Sequence, residues 1–384
     1  MTQVAFKVTP HQHRMLTGTR GLAALWVAFA HITYRPGYNA GFGAWEHFGW
    51  LAYIIRFDYL AVDFFFVLSG CLLYLTYRHL FEGKTTSWVI DRFYLQRLAR
   101  IYPMHIVGVA LIGLWHLLGI PHPIFSGQQD ILFEHWPQTL AANAFLIHCW
   151  GIIPVASWNE PAWTVSAMAF VYVLFPNMVG GLKKLPDTIR ANLLALTVVL
   201  ALYAIGRNTI PHLGNADGTG ALLRSFSFFL LGCLTARLYT NGWGKAWNWP
   251  VIFALIFGLG AAAMVVWFEV YNFPIPLFHL IYPIFMLGLL QGHGTVTRLL
   301  TNRASQFLGR ISYSLYILHY PTLLLVKYLW GDTFGAWAQA SPLTLLLLYP
   351  LAVAFLILPA WVATRYIERP LFKWAKERLK GSGE

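Results

Sequence analysis

Long apolar runs, each close to the length of one bilayer crossing and separated by short charged loops, constrain this chain more than any other feature. A helical crossing needs about 20 predominantly apolar residues. Ten runs qualify: 19–36, 57–78, 101–120, 161–180, 190–207, 221–240, 249–270, 274–292, 311–330 and 343–366. Transmembrane β-strands instead alternate apolar and polar residues over about ten positions. The continuous runs therefore predict an all-α, polytopic membrane helical bundle. Only 11% of the 384 residues are charged, against about 25% in a soluble domain. The 17 Trp and 19 Tyr suit aromatic belts at the two interfaces.

An eleventh apolar stretch, 138–153, is short, contains Asn143 and His148, and is bounded by Pro137 and Pro154. The basic residues decide how to count it. With ten spans and an inside N-terminus, 22 Lys and Arg fall inside and five outside, the five being Arg35, Arg56, Arg207, Arg224 and Lys327. If 138–153 also crosses, the split becomes 11 inside and 16 outside. Lys and Arg concentrate on the cytoplasmic side, so the expected threading is ten crossings of the cell membrane with both termini cytoplasmic. Residues 138–153 then form a re-entrant or interfacial segment, whose non-helical backbone must pack on protein or line a cavity.

The same asymmetry accounts for the net charge of +12 with no nucleic-acid partner. Cys71, Cys149 and Cys233 lie in apolar runs without a C-x-x-C pair, which predicts packing thiols and no metal site. The first run lacks a small-residue cleavage site and is expected to stay as an anchor. Residues 1–14 read as a cytoplasmic segment, 15–370 as the membrane domain, and 371–384 as a basic interfacial tail.

Inside the spans, a few polar residues stand out. Arg20 and His31 are eleven positions apart, about 1100° around a helix and so about 20° past three turns, on one face and roughly 16 Å apart. Asp63 falls roughly 22 Å and Ser69 roughly 14 Å from the cytoplasmic end of the second span, with His31 between them in depth. An intramembrane carboxylate or imidazole is either functional or satisfied by a neighbour, and for Asp63 pairing with Arg56 or Arg35 is the structural alternative. Ser69-Gly70 reads as close helix packing. In 91–103, Arg92, Arg97 and Arg100 place guanidinium groups at the membrane surface, suited to phosphates or to simple anchoring. Ser312, Tyr316 and His319 share a face of a later span, with His319 at a depth near that of His31.

Six ordered segments resemble the membrane acyltransferase family 3 proteins. They are Arg20-Gly21 to His31; Val62-Asp63-x-Phe65-Phe66-x-Leu68-Ser69-Gly70; Arg92-Phe93-x3-Arg97-x2-Arg100-x-Tyr102-Pro103; Pro161-Ala162-Trp163; Ile311 to Pro321; and Glu368-Arg369-Pro370. The resemblance implies an acyl-CoA-dependent O-acyltransferase of about ten spans. Such an enzyme moves an acyl group, commonly acetyl, to a hydroxyl of a carbohydrate, glycolipid or glycosylated small molecule. It makes His31 the catalytic group and assigns the CoA donor to Arg92, Arg97 and Arg100, with Arg20 added on the donor side. Asp63, His319 and Tyr316 are further catalytic candidates. One departure matters: the family reads W-S-L-x-x-E where this chain has Trp163-Thr164-Val165-Ser166-Ala167-Met168. Either the carboxylate is dispensable, or Asp63 or Glu160 replaces it, or the protein is a silent scaffold. The rival class is a proton-coupled transporter using His31, Asp63 and His319, which leaves the arginines without a role.

Overall fold

A computed structural model describes residues 8–33, 55, 57–83, 85–120, 136–153, 157–209, 218–270, 279, 281–292, 294–340 and 342–381. Thirteen α-helices occur among them: α1 (Pro10–Thr33), α2 (Tyr59–Tyr77), α3 (Ser87–Leu117), α4 (Trp136–Ala144), α5 (Trp163–Lys184), α6 (Ile189–Thr209), α7 (Gly218–Thr240), α8 (Trp249–Val270), α9 (Ile281–Gln291), α10 (Gly294–Thr301), α11 (Arg303–Ala340), α12 (Pro342–Ala363) and α13 (Arg369–Gly381). Six helical stretches are long and apolar enough to cross a membrane: 59–80, 87–117, 160–184, 189–206, 220–240 and 347–379. The other four expected spans are also helical, on α1, α8, α9 and α11, and α9 is the shortest at eleven residues. The molecule is an all-α membrane bundle, as its apolar runs require.

Two tight helix pairs build the centre, α1 along α11 and α2 along α7. Without a hydrophobic drive between helices in lipid, close packing needs small residues at the seam. In the second pair, a Cβ on Gly70 would overlap the Phe229 carbonyl, and one on Gly232 the Val67 carbonyl. The Ser69-Gly70 step is thus the close contact its sequence suggests.

The stretch 138–153 does not cross. Its helix α4 has nine residues, about 13 Å at 1.5 Å per residue. The chain then turns through Leu146 (φ 59°) and a π-turn, His148–Ile152, containing Gly151 at φ 81°. Broken backbone in the bilayer must find partners inside the protein, and Ser166 of α5 supplies them. Its hydroxyl donates to the Leu146 carbonyl at 2.6 Å and accepts from the Cys149 N–H at 3.2 Å. Two stacked buried imidazoles complete the anchoring, His105 donating to the Asn143 carbonyl and His148 to that of Ala162.

Two arginines counted as loop charges prove to be buried within α7. Arg237 is 3% exposed and binds the carbonyls that end α5, those of Leu182, Leu185 and Pro186. Arg224 is 6% exposed and pairs with Asp63. An arginine inside a span is tolerated when paired or bound to carbonyls, a state that a loop count of Lys and Arg does not register. Without these two the distribution is 21 against four, so the asymmetry survives. At the other end of the sequence, α13 is the amphipathic helix expected of the basic tail, with Leu371 and Trp374 exposed beside its charges.

Candidate active site

The site begins at the end of α1. His31 Nδ1 is 2.8 Å from the Val27 carbonyl, one helical turn back. A carbonyl only accepts, so Nδ1 carries the hydrogen and Nε2 is the basic atom of the neutral ring. On the same side, Asp58 Oδ2 stands 3.8 Å from Nδ1, and Asp58 is only 1% exposed. The ring of His319 meets that of His31 edge-on, with centroids 4.8 Å apart. His319 holds its own Nδ1 on the Tyr316 carbonyl at 2.6 Å, and its buried Nε2 has no hydrogen-bond partner among the described residues. The two histidines expected at matched depth therefore do share one interior site.

Their depth differs from the expectation. His31 lies beside Asp58, not between Asp63 and Ser69, and so roughly 8 Å farther along α2 than Asp63. The reason is that α1 already runs ten residues before Arg20. Arg20 is inside the bundle, and counting from it as an interfacial residue starts too deep.

Asp63 is engaged elsewhere. Arg224 Nε donates to Oδ1 at 2.6 Å, His279 Nε2 is 3.5 Å from Oδ2, and the Arg224 guanidinium lies 5.5 Å from the Trp163 ring. Arg35 and Arg56, the partners considered from sequence, lie outside the described residues. A carboxylate held by a guanidinium fork is a strong charge-assisted contact and ties α2 to α7.

The four arginines that the sequence offers for a donor separate into two groups. Arg20 and Arg100 line one cavity of about 150 Å³ together with Val62, Phe65, Phe66, Ser69, Thr164, Val165, Met168, Tyr172 and Tyr316. Arg97 lies just outside it, its guanidinium donating to the Tyr77 hydroxyl at 2.8 Å. Arg92, in contrast, rests on the Trp88 ring at 4.8 Å near the start of α3. Arg100 is oriented by Glu368 at 2.5 Å, and the other Glu368 oxygen accepts from Ser314 at 2.6 Å. Arg20 Nε is buried with no hydrogen-bond partner among the described residues, so one cavity-lining guanidinium has an unmet donor. Tyr316 forms the inner wall, 5.8 Å from Phe65 and 5.8 Å from His319 between ring centroids.

A proline sets the geometry behind that wall. Pro321 lies inside α11 and cannot donate to the carbonyl four residues earlier. That carbonyl belongs to Ile317, and Asn159 Nδ2 donates to it at 2.9 Å. Asn159 thus locks the break that sits beside Tyr316 and His319. Four contributors escaped the sequence reading as site residues: Asp58, Arg224, Asn159 and Glu368. Glu368 carried a signal in the Glu-Arg-Pro motif, and Asn159 one in its place beside Glu160 and Trp163 where the chain re-enters the membrane. Asp58 lies five residues before Asp63 in the same segment, and only the fold shows that it, not Asp63, faces His31.

The most similar relatives include acyltransferase MdmB of Streptomyces mycarofaciens, 26% identical over 351 residues, covering 85% of this chain and 84% of the relative. Protein 2 in the picA locus of Rhizobium radiobacter is 33% identical over 156 residues, covering 36% of this chain and 72% of the relative. No solved structure matches the chain. A family model described as an acyltransferase domain matches residues 15–365, nearly the whole chain, and the chain therefore belongs to acyltransferase family 3.

Proposed function

We propose that the protein moves a short acyl group, acetyl in the simplest case, from acyl-CoA to a hydroxyl of a carbohydrate, glycolipid or glycosylated small molecule. The observation that carries this reading is the line from Arg20 and Arg100, through the cavity, to Tyr316, His319 and His31. CoA phosphates sit at the Arg20 end, where a buried N–H awaits an acceptor. Arg97 adds charge nearby, and Arg92 lies farther out on α3. The pantetheine arm follows the cavity inward over roughly the 16 Å that separates Arg20 from His31 along α1. Positive residues cluster at the Arg20 end of the bundle, which supports a cytoplasmic donor side and cytoplasmic termini in the cell membrane.

His31 Nε2 then takes the proton of the acceptor hydroxyl as its oxygen attacks the thioester carbonyl. The tetrahedral adduct collapses, the C–S bond breaks, and the imidazolium returns the proton to the departing thiolate. The products are the ester and free CoA. General base catalysis of this kind contributes about 10²–10⁴-fold. His31 as a transient acyl carrier is the covalent variant of the same geometry.

The cavity supports a small acyl group. Met168, where the family's glutamate usually stands, gives the cavity an apolar wall together with Val62, Phe65, Phe66 and Val165. Met168 makes the wall apolar and leaves His31 in place, so its presence is no argument for a silent protein. The test compares glycans and secreted metabolites from cells with and without the protein by mass spectrometry, with purified protein given labelled acetyl-CoA in parallel. Loss of an acyl mass together with CoA-dependent labelling supports the proposal. Solute uptake that needs no CoA, with no acyl mass lost, refutes it.

A further inference from the structure

The family's usual glutamate is absent, yet a histidine acting as base needs its ring held and its transient charge balanced. The carboxylates near the site differ in what they are committed to. Asp63 is bound by Arg224 and His279. Glu368 is divided between Arg100, Ser314 and Thr364. Asp58 Oδ2, in contrast, stands at ion-pair distance from a catalytic candidate, 3.8 Å from His31 Nδ1.

We infer that Asp58 is the positioning residue for His31. The inference rests on the reading of His31 as the base. Val27 fixes the ring through Nδ1–H, leaving Nε2 to receive the proton. When it does, the imidazolium carries positive charge, and the carboxylate on its Nδ1 side is Asp58, itself buried at the start of α2. A carboxylate behind the far nitrogen of a histidine base holds the tautomer and stabilises the imidazolium. His319 faces the ring from α11 with its Nδ1–H already committed to the Tyr316 carbonyl, so it contributes shape and not negative charge. Asp58 touches no reacting atom and acts only through His31.

The test uses the full chain in detergent or nanodiscs, with Asp58→Asn and Asp58→Glu. Release of CoA thiol from acetyl-CoA gives kcat and KM. Asp58→Asn should lower kcat about 10- to 100-fold, the effect of losing about 1.4–2.7 kcal/mol of imidazolium stabilisation, while KM for acetyl-CoA stays within about twofold, because the donor arginines are untouched. That is less than the loss of about 10⁴ seen when a directly hydrogen-bonded aspartate is neutralised, as befits a contact at 3.8 Å. Asp58→Glu should recover part of kcat. A second readout needs no turnover: with ¹⁵N-histidine labelling, the His31 Nδ1 resonance, assigned by its loss in His31→Gln, should shift in Asp58→Asn. Wild-type kcat with an unshifted resonance overturns the inference, and in a preparation that releases no thiol the resonance alone decides. His31→Ala separates the two readings. If it is inactive while Asp58→Asn is normal, only the role of Asp58 fails; if it is fully active, the base reading itself fails.

Discussion

Removing one member of the Asp63–Arg224 pair is the perturbation whose size the structure specifies best. Arg224 Nε lies 2.6 Å from Asp63 Oδ1, and the side chains are 7% and 1% exposed. Asp63→Ala leaves a guanidinium among the Trp163 ring, the Tyr59 carbonyl and apolar neighbours, with its counter-charge gone. Breaking a buried pair in this way costs about 3–5 kcal/mol, whereas replacing both members with apolar residues of similar volume is often neutral or stabilising. At about 2 °C per kcal/mol for a large domain, Asp63→Ala should lower the unfolding midpoint in detergent by about 6–10 °C. The double variant Asp63→Leu/Arg224→Met should return most of that loss and keep acyl transfer. If the double variant is stable but inactive, Asp63 has a catalytic part. If Asp63→Ala unfolds at the wild-type temperature, the pair does not hold α2 to α7.

Other expectations concern the cavity and its supports. Arg20→Ala should raise KM for acetyl-CoA by at least about tenfold, the effect of losing one charged hydrogen bond to phosphate, with kcat nearly unchanged. Arg92→Ala, whose guanidinium rests on Trp88 away from the cavity, should change KM by less than about threefold, and initial rates against acetyl-CoA check both. Met168→Ala should raise the butyryl-CoA to acetyl-CoA ratio of kcat/KM by about tenfold or more, since each methylene in an apolar pocket is worth about 1–3 kcal/mol; an unchanged ratio removes Met168 from the acyl wall. Asn159→Ala strips the Ile317 carbonyl of its donor and should cost about 1–3 kcal/mol, read as a lower midpoint in thermal unfolding.

The membrane bundle was legible because it follows from run length and charge distribution alone. The exclusion of 138–153 from the spans was legible for the same reason, and Ser166 and the paired imidazoles show how its broken backbone is satisfied. His31, His319, Tyr316, Arg20 and Arg100 stood out because a polar side chain in an apolar run is conspicuous. What stayed hidden was pairing between distant segments. Arg224 sits 161 positions from Asp63, and Asn159 is 158 from the carbonyl that Pro321 frees. No periodicity within a helix encodes either contact. Asp58 was hidden differently, at the start of a span beside the more conspicuous Asp63. Which of two nearby carboxylates meets a histidine depends on how α1 and α2 are offset along the membrane normal, and residue counts from presumed interfaces do not fix that offset.

The central claim is that His31 is the group through which acyl transfer passes. It is tested most directly by purified His31→Ala protein, shown to be inserted and folded by its elution profile and thermal unfolding, and assayed for transfer from labelled acetyl-CoA. If His31 is the base, the variant loses at least about 10²–10⁴-fold in rate and still binds acetyl-CoA at wild-type affinity. Transfer at the wild-type rate in that variant contradicts it.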